Sequence, residues 1–146
     1  MKIFLDTSSI FKLYHRETDT VELERNLSAI SISSIYLSEI AKVEFTSTVW
    51  KKVRTKEITE LEGQTTLDLF ELDFVKYNFV TTDSIIIEQA RILTSKYGTQ
   101  GLRTLDSVQL STAVSLYRQV NIFLTADKLL KSLFLSEGLY TDLPSR

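Results

Sequence analysis

Four acidic residues, widely separated in the chain, fall where solvation alone does not explain an acid. Asp6 ends the run KIFL, and Asp127 follows NIFLT (121–125) after one alanine. Both runs are short, unbroken and apolar. They predict strands at 2–6 and 121–125 that are buried on both faces. Each acid then stands at a strand end just before a helix, where it is either a functional acid or a helix cap, Asp6 for a helix from Ser8 and Asp127 for KLLKSLF. The other two acids lie inside predicted helices. Over 36–54, Leu37, Ala41, Phe45, Thr48 and Val49 share one face at helical spacing. Glu44 projects into that stripe beside Leu37, Ile40 and Thr48. Glu39 projects beside Val43 and Trp50 and reads as solvated. Over 104–118, Leu110, Ala113, Val114 and Tyr117 define the inward face, and Asp106 falls on it one turn earlier. Asp106 through Gln109 also has the form of a capping box, with Thr104 competing for the cap. Burying a lone carboxylate is costly unless it is paired, protonated or bound to a metal.

A parallel sheet that gathered all four acids at its carboxyl edge would set like charges against one another and raise their pKa values. Hard cations relieve that repulsion. The chain has no cysteine and one histidine, His15, which excludes disulfides, thiolate zinc sites, cysteine nucleophiles and histidine-rich centres. Oxygen ligands alone point to Mg²⁺ or Mn²⁺. Two such ions, roughly 3.5–4 Å apart, clamp the attacking and leaving oxygens of an in-line displacement at phosphorus, and metal activation of water removes the need for a histidine base. Seventeen basic against nineteen acidic residues leave a net charge of −2, so composition makes no global case for nucleic-acid binding. Bound cations would invert the local field that a phosphodiester meets.

These acids need a scaffold, and the alternation of elements predicts one. The 146 residues, 43% hydrophobic and 25% charged, suit one domain over 1–146 with a single sizeable core. Helical spacing is read at 8–15, interrupted at Glu17–Asp19, and again at 20–27. AISISS (29–34) alternates with period two and predicts a strand. Helices follow at 36–54 and 58–73, the latter with Leu61, Leu67, Leu69, Phe70 and Leu72 and weakened by Gly63. A strand is expected at 78–83, a helix at 84–97 stopped by Gly98, the helix from Thr104 to Arg118, the strand at 121–125, a last helix and a short strand in LYTDL (139–143). Parallel strands need crossovers, so this order implies a parallel sheet with helices on both faces. No 18-residue apolar span or leader pattern is visible, and the expectation is a cytoplasmic protein without a membrane segment.

The four acid-bearing segments resemble a known family. IFLDTSSIFKLY (3–14) resembles the opening motif of PIN-domain nucleases. Residues 34–50 are similar to the second motif, with Glu44 at its acid, LRTLDSVQLSTAV (102–114) to the third and FLTADKLL (123–130) to the fourth. The motifs occur in family order and cover nearly the whole chain, and the closest subgroup is the VapC-type toxins of bacterial and archaeal toxin–antitoxin pairs. The resemblance implies a Rossmann-like α/β/α sandwich with a mainly parallel sheet of four to five strands. It implies an Mg²⁺- or Mn²⁺-dependent endoribonuclease, with Asp6, Glu44, Asp106 and Asp127 as metal-binding or metal-supporting acids. Thr7 and Thr125 match hydroxyl positions that orient a carboxylate or a metal-bound water. A homodimer and a cognate antitoxin are the implied partners, and RNA the substrate.

Among the remaining charges, Arg103 stands three residues before Asp106 and is the nearest candidate for a phosphate contact. Lys12 and Lys128 follow acid-bearing turns. The cluster KKVRTK (51–56) opposes a helix dipole at a C-terminus or touches RNA. Trp50, with Val43 and Ile40, makes a second apolar patch on its helix, for intrachain packing, an antitoxin helix or a dimer contact. Two rival readings stay open: a non-catalytic PIN-like module that binds RNA or a partner, and a phosphatase with Asp6 as nucleophile. The second is disfavoured because Ser8 stands where such enzymes carry another acid.

Overall fold

The structure is a computed structural model that describes residues 1–15 and 20–141. Its centre is a parallel sheet of four strands, β1 (Lys2–Leu5), β2 (Ser34–Ser38), β3 (Tyr77–Val80) and β4 (Ile122–Leu124), in the order β3-β2-β1-β4. Seven α-helices surround it among the described residues: α1 (Thr7–Lys12), α2 (Thr20–Ser28), α3 (Ala41–Arg54), α4 (Glu60–Leu72), α5 (Ser84–Tyr97), α6 (Thr104–Ser115) and α7 (Lys128–Ser136). β1 is interior. Lys2, Ile3 and Phe4 pair with Ser34, Ile35 and Tyr36, and Ile3, Phe4 and Leu5 pair with Ile122, Phe123 and Leu124.

The alternation of side chains along β1 divides the core. Ile3 and Leu5 pack on one face with Ile10, Phe11, Leu37, Ala41, Phe45, Val49, Phe70 and Ile122. Phe4 packs on the other with Leu93, Leu110, Ala113, Phe123, Leu130 and Phe134. Thus α1, α3 and α4 cover one face and α5, α6 and α7 the other, which gives the α/β/α sandwich expected from the order of elements. Phe45 and Phe70 stack at 3.9 Å between ring centroids and fasten α3 to α4.

Several boundaries differ from the sequence reading. No strand forms over 29–33; β2 begins at Ser34, and α3 begins at Ala41 instead of residue 36. A strand buried in a parallel sheet needs apolar side chains on both faces. Ile35, Tyr36 and Leu37 supply them, whereas Ala29–Ser33 offers exposed serines at alternate positions. Leu37 lies four residues before Ala41, so helical spacing absorbed it into the wrong element. Glu39 consequently sits before α3, where its carboxylate accepts a bond from the Thr82 amide at 3.1 Å. On α4, Phe70 is buried but Leu61 and Leu72 are 77% and 72% exposed, so only part of the apolar pattern there serves the core. α6 stops at Ser115, which leaves Tyr117 outside the core. α5 leads through Gly98 into a 3-10 turn, and the left-handed residue that ends it is Gly101, φ 104°. Leu139–Thr141 form no strand, although the Phe123 amide donates to the Tyr140 carbonyl at 2.9 Å. The rest of LYTDL and the interruption at Glu17–Asp19 lie outside the described residues. No helix among the described residues is long and apolar enough to cross a membrane.

Candidate active site

In an open parallel sheet, a ligand crevice opens beyond the carboxyl ends of the strands where the chain order reverses. Here that point lies between β1 and β4, because the chain passes from β1 to β2 on one side and returns to β4 on the other. Asp6 leaves β1 there, its amide donating to the Leu124 carbonyl at 3.2 Å.

Asp6 is both a cap and a pocket acid. Its backbone is extended, φ −76° and ψ 174°, and its Oδ1 accepts the Ser9 amide at 2.9 Å at the start of α1. The Ser8 hydroxyl reaches both carboxylate oxygens at 2.8 and 2.9 Å, and the Thr125 hydroxyl donates to Oδ2 at 2.6 Å. The carboxyl is 4% exposed. Burial pushes its pKa up to about 6, against the pull of the bonds from Thr125, Ser8 and Ser9. The same two hydroxyls bind the β4 turn: Thr125 Oγ1 accepts the Asp127 amide at 3.0 Å, and Ser8 Oγ accepts the Ala126 amide at 3.2 Å. Asp127 in turn caps α7, its Oδ1 accepting the Leu130 amide at 2.7 Å.

The other two acids arrive from helix starts. Glu44 lies in the first turn of α3, which no side chain caps. It is half-buried, and its Oε1 accepts the Thr7 hydroxyl and the Gln109 amide nitrogen, each at 2.8 Å. Asp106 lies in the first turn of α6, whose N-cap is Arg103 without a side-chain bond. The capping box between Asp106 and Gln109 does not form. Asp106 is half-buried, and burial and the neighbouring Asp127 raise its carboxyl above the ordinary range while Arg103 draws it down.

All four acids line one cavity of about 440 Å³, together with Thr7, Ser8, Lys12 and Gln109. Thr125 stands behind Asp6, outside that lining. Arg103 is exposed and close enough to Asp106 to act on its charge. Lys12 is 8% exposed and forms part of the cavity wall. His15 packs on the Phe11 ring and does not itself line the cavity. Lys52 of the basic cluster pairs with Glu57 at 3.0 Å.

The sequence reading missed Ser8 and Gln109 as parts of this site. Gln109 precedes Ala113 by one helical turn and so shares its inward face, a signal that the capping-box reading obscured. Among the described residues, no three carboxylates meet closely enough to form a ready-made cage; Asp6 and Glu44 are turned to hydroxyl and amide donors instead. The donor set still suits a hard divalent cation. It is all oxygen, it carries a surplus of negative charge, and two of its carboxyls are raised by burial, the condition that a cation relieves.

The chain is thus an α/β/α domain with an acidic crevice at the switch point between β1 and β4. The PIN domain family model matches residues 3–133, and the chain belongs to the PIN-domain family. No curated protein matches it significantly. Among solved structures it is similar to VapC20 from Mycobacterium tuberculosis, a sarcin-ricin loop cleaving toxin, with a TM-score of 0.72 and 12% identity over 97% of this chain and 99% of that one. FitAcB from Neisseria gonorrhoeae gives a TM-score of 0.71 and 16% identity over 95% of each chain. VapBC-1 from nontypeable Haemophilus influenzae gives 0.63 and 18% over 97% of each. At these identities the likeness is one of fold.

Proposed function

We propose that the chain is a divalent-cation-dependent endoribonuclease and the toxin of a toxin–antitoxin pair. The observation that carries this reading is the shared cavity of Asp6, Glu44, Asp106 and Asp127 at the strand edge of a PIN domain. In this reading the four carboxylates would hold Mg²⁺ or Mn²⁺, which would supply charge neutralisation at the scissile phosphate and lower the pKa of a nucleophilic water. The chain's own groups set up that chemistry. Ser8 and Thr125 fix both oxygens of Asp6, Thr7 fixes Glu44, and the β4 turn fixes Asp127. Arg103, exposed at the start of α6, meets a phosphate of the RNA. Cleavage is hydrolysis, with water adding to phosphorus and the ribose oxygen leaving.

The toxin role is supported by the fold shared with the toxin VapC20 and with VapBC-1 and FitAcB. A second copy of the chain and a cognate antitoxin are its proposed partners. The test is cleavage of RNA by the purified chain with Mn²⁺ or Mg²⁺. Wild type cuts, chelation stops it, and Asp6→Asn abolishes it while leaving the fold intact. Equal cutting by Asp6→Asn overturns the assignment.

A further inference from the structure

Gln109 is an uncharged side chain that ties two of the proposed site's parts together from a distant element. It is 2% exposed on α6 and lines the acidic cavity. Its Nε2 donates to Thr7 Oγ1 at 2.9 Å and to Glu44 Oε1 at 2.8 Å. The orientation of the amide follows from the chemistry of its partners. Thr7 spends its only proton on Glu44, so it accepts from Gln109, and a carboxylate can only accept. The carbonyl end, Oε1, is buried and has no hydrogen-bond partner among the described residues. An unpaired buried carbonyl costs stability, and a methionine or leucine would fill the same space without that cost. The amide is therefore explained by its donor end and not by packing.

We propose that Gln109 is a positioning residue, which holds Glu44 in one orientation for a cation without neutralising it. A lysine or arginine in its place would also bind the carboxylate, but its charge would compete with the metal. A neutral amide orients the oxygen and leaves the negative charge for the cation. The triangle of Thr7, Glu44 and Gln109 joins α1, α3 and α6, so this one side chain links helices on opposite faces of the sheet at the cavity wall. The inference rests on the cation-dependent reading above and assigns a role that metal ligation alone does not require.

The test is Mn²⁺ affinity, measured by calorimetric titration of the full chain without RNA. Gln109→Met keeps length and removes the donors. It is expected to weaken Mn²⁺ binding by about 10- to 100-fold, as loss of a ligand's outer partner does, with a melting midpoint within about 3 °C of wild type in metal-free buffer. Gln109→Leu is the second variant should the first not fold. In a Glu44→Gln background the same change is expected to add little, because residues acting through one another are not additive. Unchanged affinity in Gln109→Met, or an equal loss in both backgrounds, overturns the proposal. If wild type binds Mn²⁺ and cuts RNA while Gln109→Met does both as well, only this inference falls. If wild type binds no Mn²⁺, the cation-dependent reading falls with it.

Discussion

At the scale of the residue, Asp6 carries a conflict between stability and chemistry. The fold buries its carboxyl and holds the pKa at about 6, whereas an unfolded aspartate titrates near 4. Between those values the native state binds more protons, so the stability of the metal-free protein falls as pH rises from about 4 to about 6, by on the order of 3 kcal/mol. The deficit persists above pH 6. Asp6→Asn removes the charge, and the expected outcome is a higher melting midpoint than wild type at pH 7.5 without metal. That gain disappears as pH is lowered to 4, and thermal melts across pH read it directly. A second variant tests the support behind the acid. Thr125→Val deletes the 2.6 Å bond to Asp6 Oδ2 and the acceptor for the Asp127 amide. RNA cleavage at saturating Mn²⁺ is expected to fall by about 10- to 100-fold with the four acids intact.

At the scale of the element, the long-range pattern was legible and the boundaries less so. Unbroken apolar runs marked β1 and β4 because both of their faces are covered. Phe45 and Val49 marked the inward face of α3 because a helix buries every third or fourth residue. The β2–α3 boundary was misread because Leu37 fits either period. The acids showed a similar limit. Spacing offers Asp6 and Asp127 as caps or as pocket acids, and the structure has each capping a helix and lining the cavity at once, a dual use that no spacing reveals. Gln109 was hidden because its partners, Thr7 and Glu44, lie 102 and 65 residues away in sequence. α3 packs closely on α4 at Gly63. A Cβ on Gly63 would stand 2.8 Å from Val53 Cγ2 and 3.2 Å from Val49 Cγ1, and valine side chains have little rotamer freedom in a helix. Gly63→Ala gains helix propensity of about 1 kcal/mol but overpacks the contact by about 1–3 kcal/mol. Net destabilisation of about 1 kcal/mol is expected in denaturant titration.

At the scale of the molecule, the sheet's strand order converts distant sequence into one site. β1 lies between β2 and β4, so the turns after β1 and β4 are neighbours, and α3 and α6 approach the same edge from opposite faces. A cation held at that edge binds the folded chain in preference to the unfolded one. At a free concentration of 100 times its dissociation constant it would stabilise the fold by about 2.7 kcal/mol. A rise of several degrees in the melting midpoint with Mn²⁺ is therefore expected for wild type at pH 7.5, reversed by chelation and strongly reduced in Asp6→Asn. The most direct measurement of the central claim is an anomalous difference map from crystals of the wild-type chain grown with Mn²⁺. The account predicts a peak within the cavity that Asp6, Glu44, Asp106 and Asp127 line. A fully occupied Mn²⁺ elsewhere on the molecule, with that cavity empty, would contradict it.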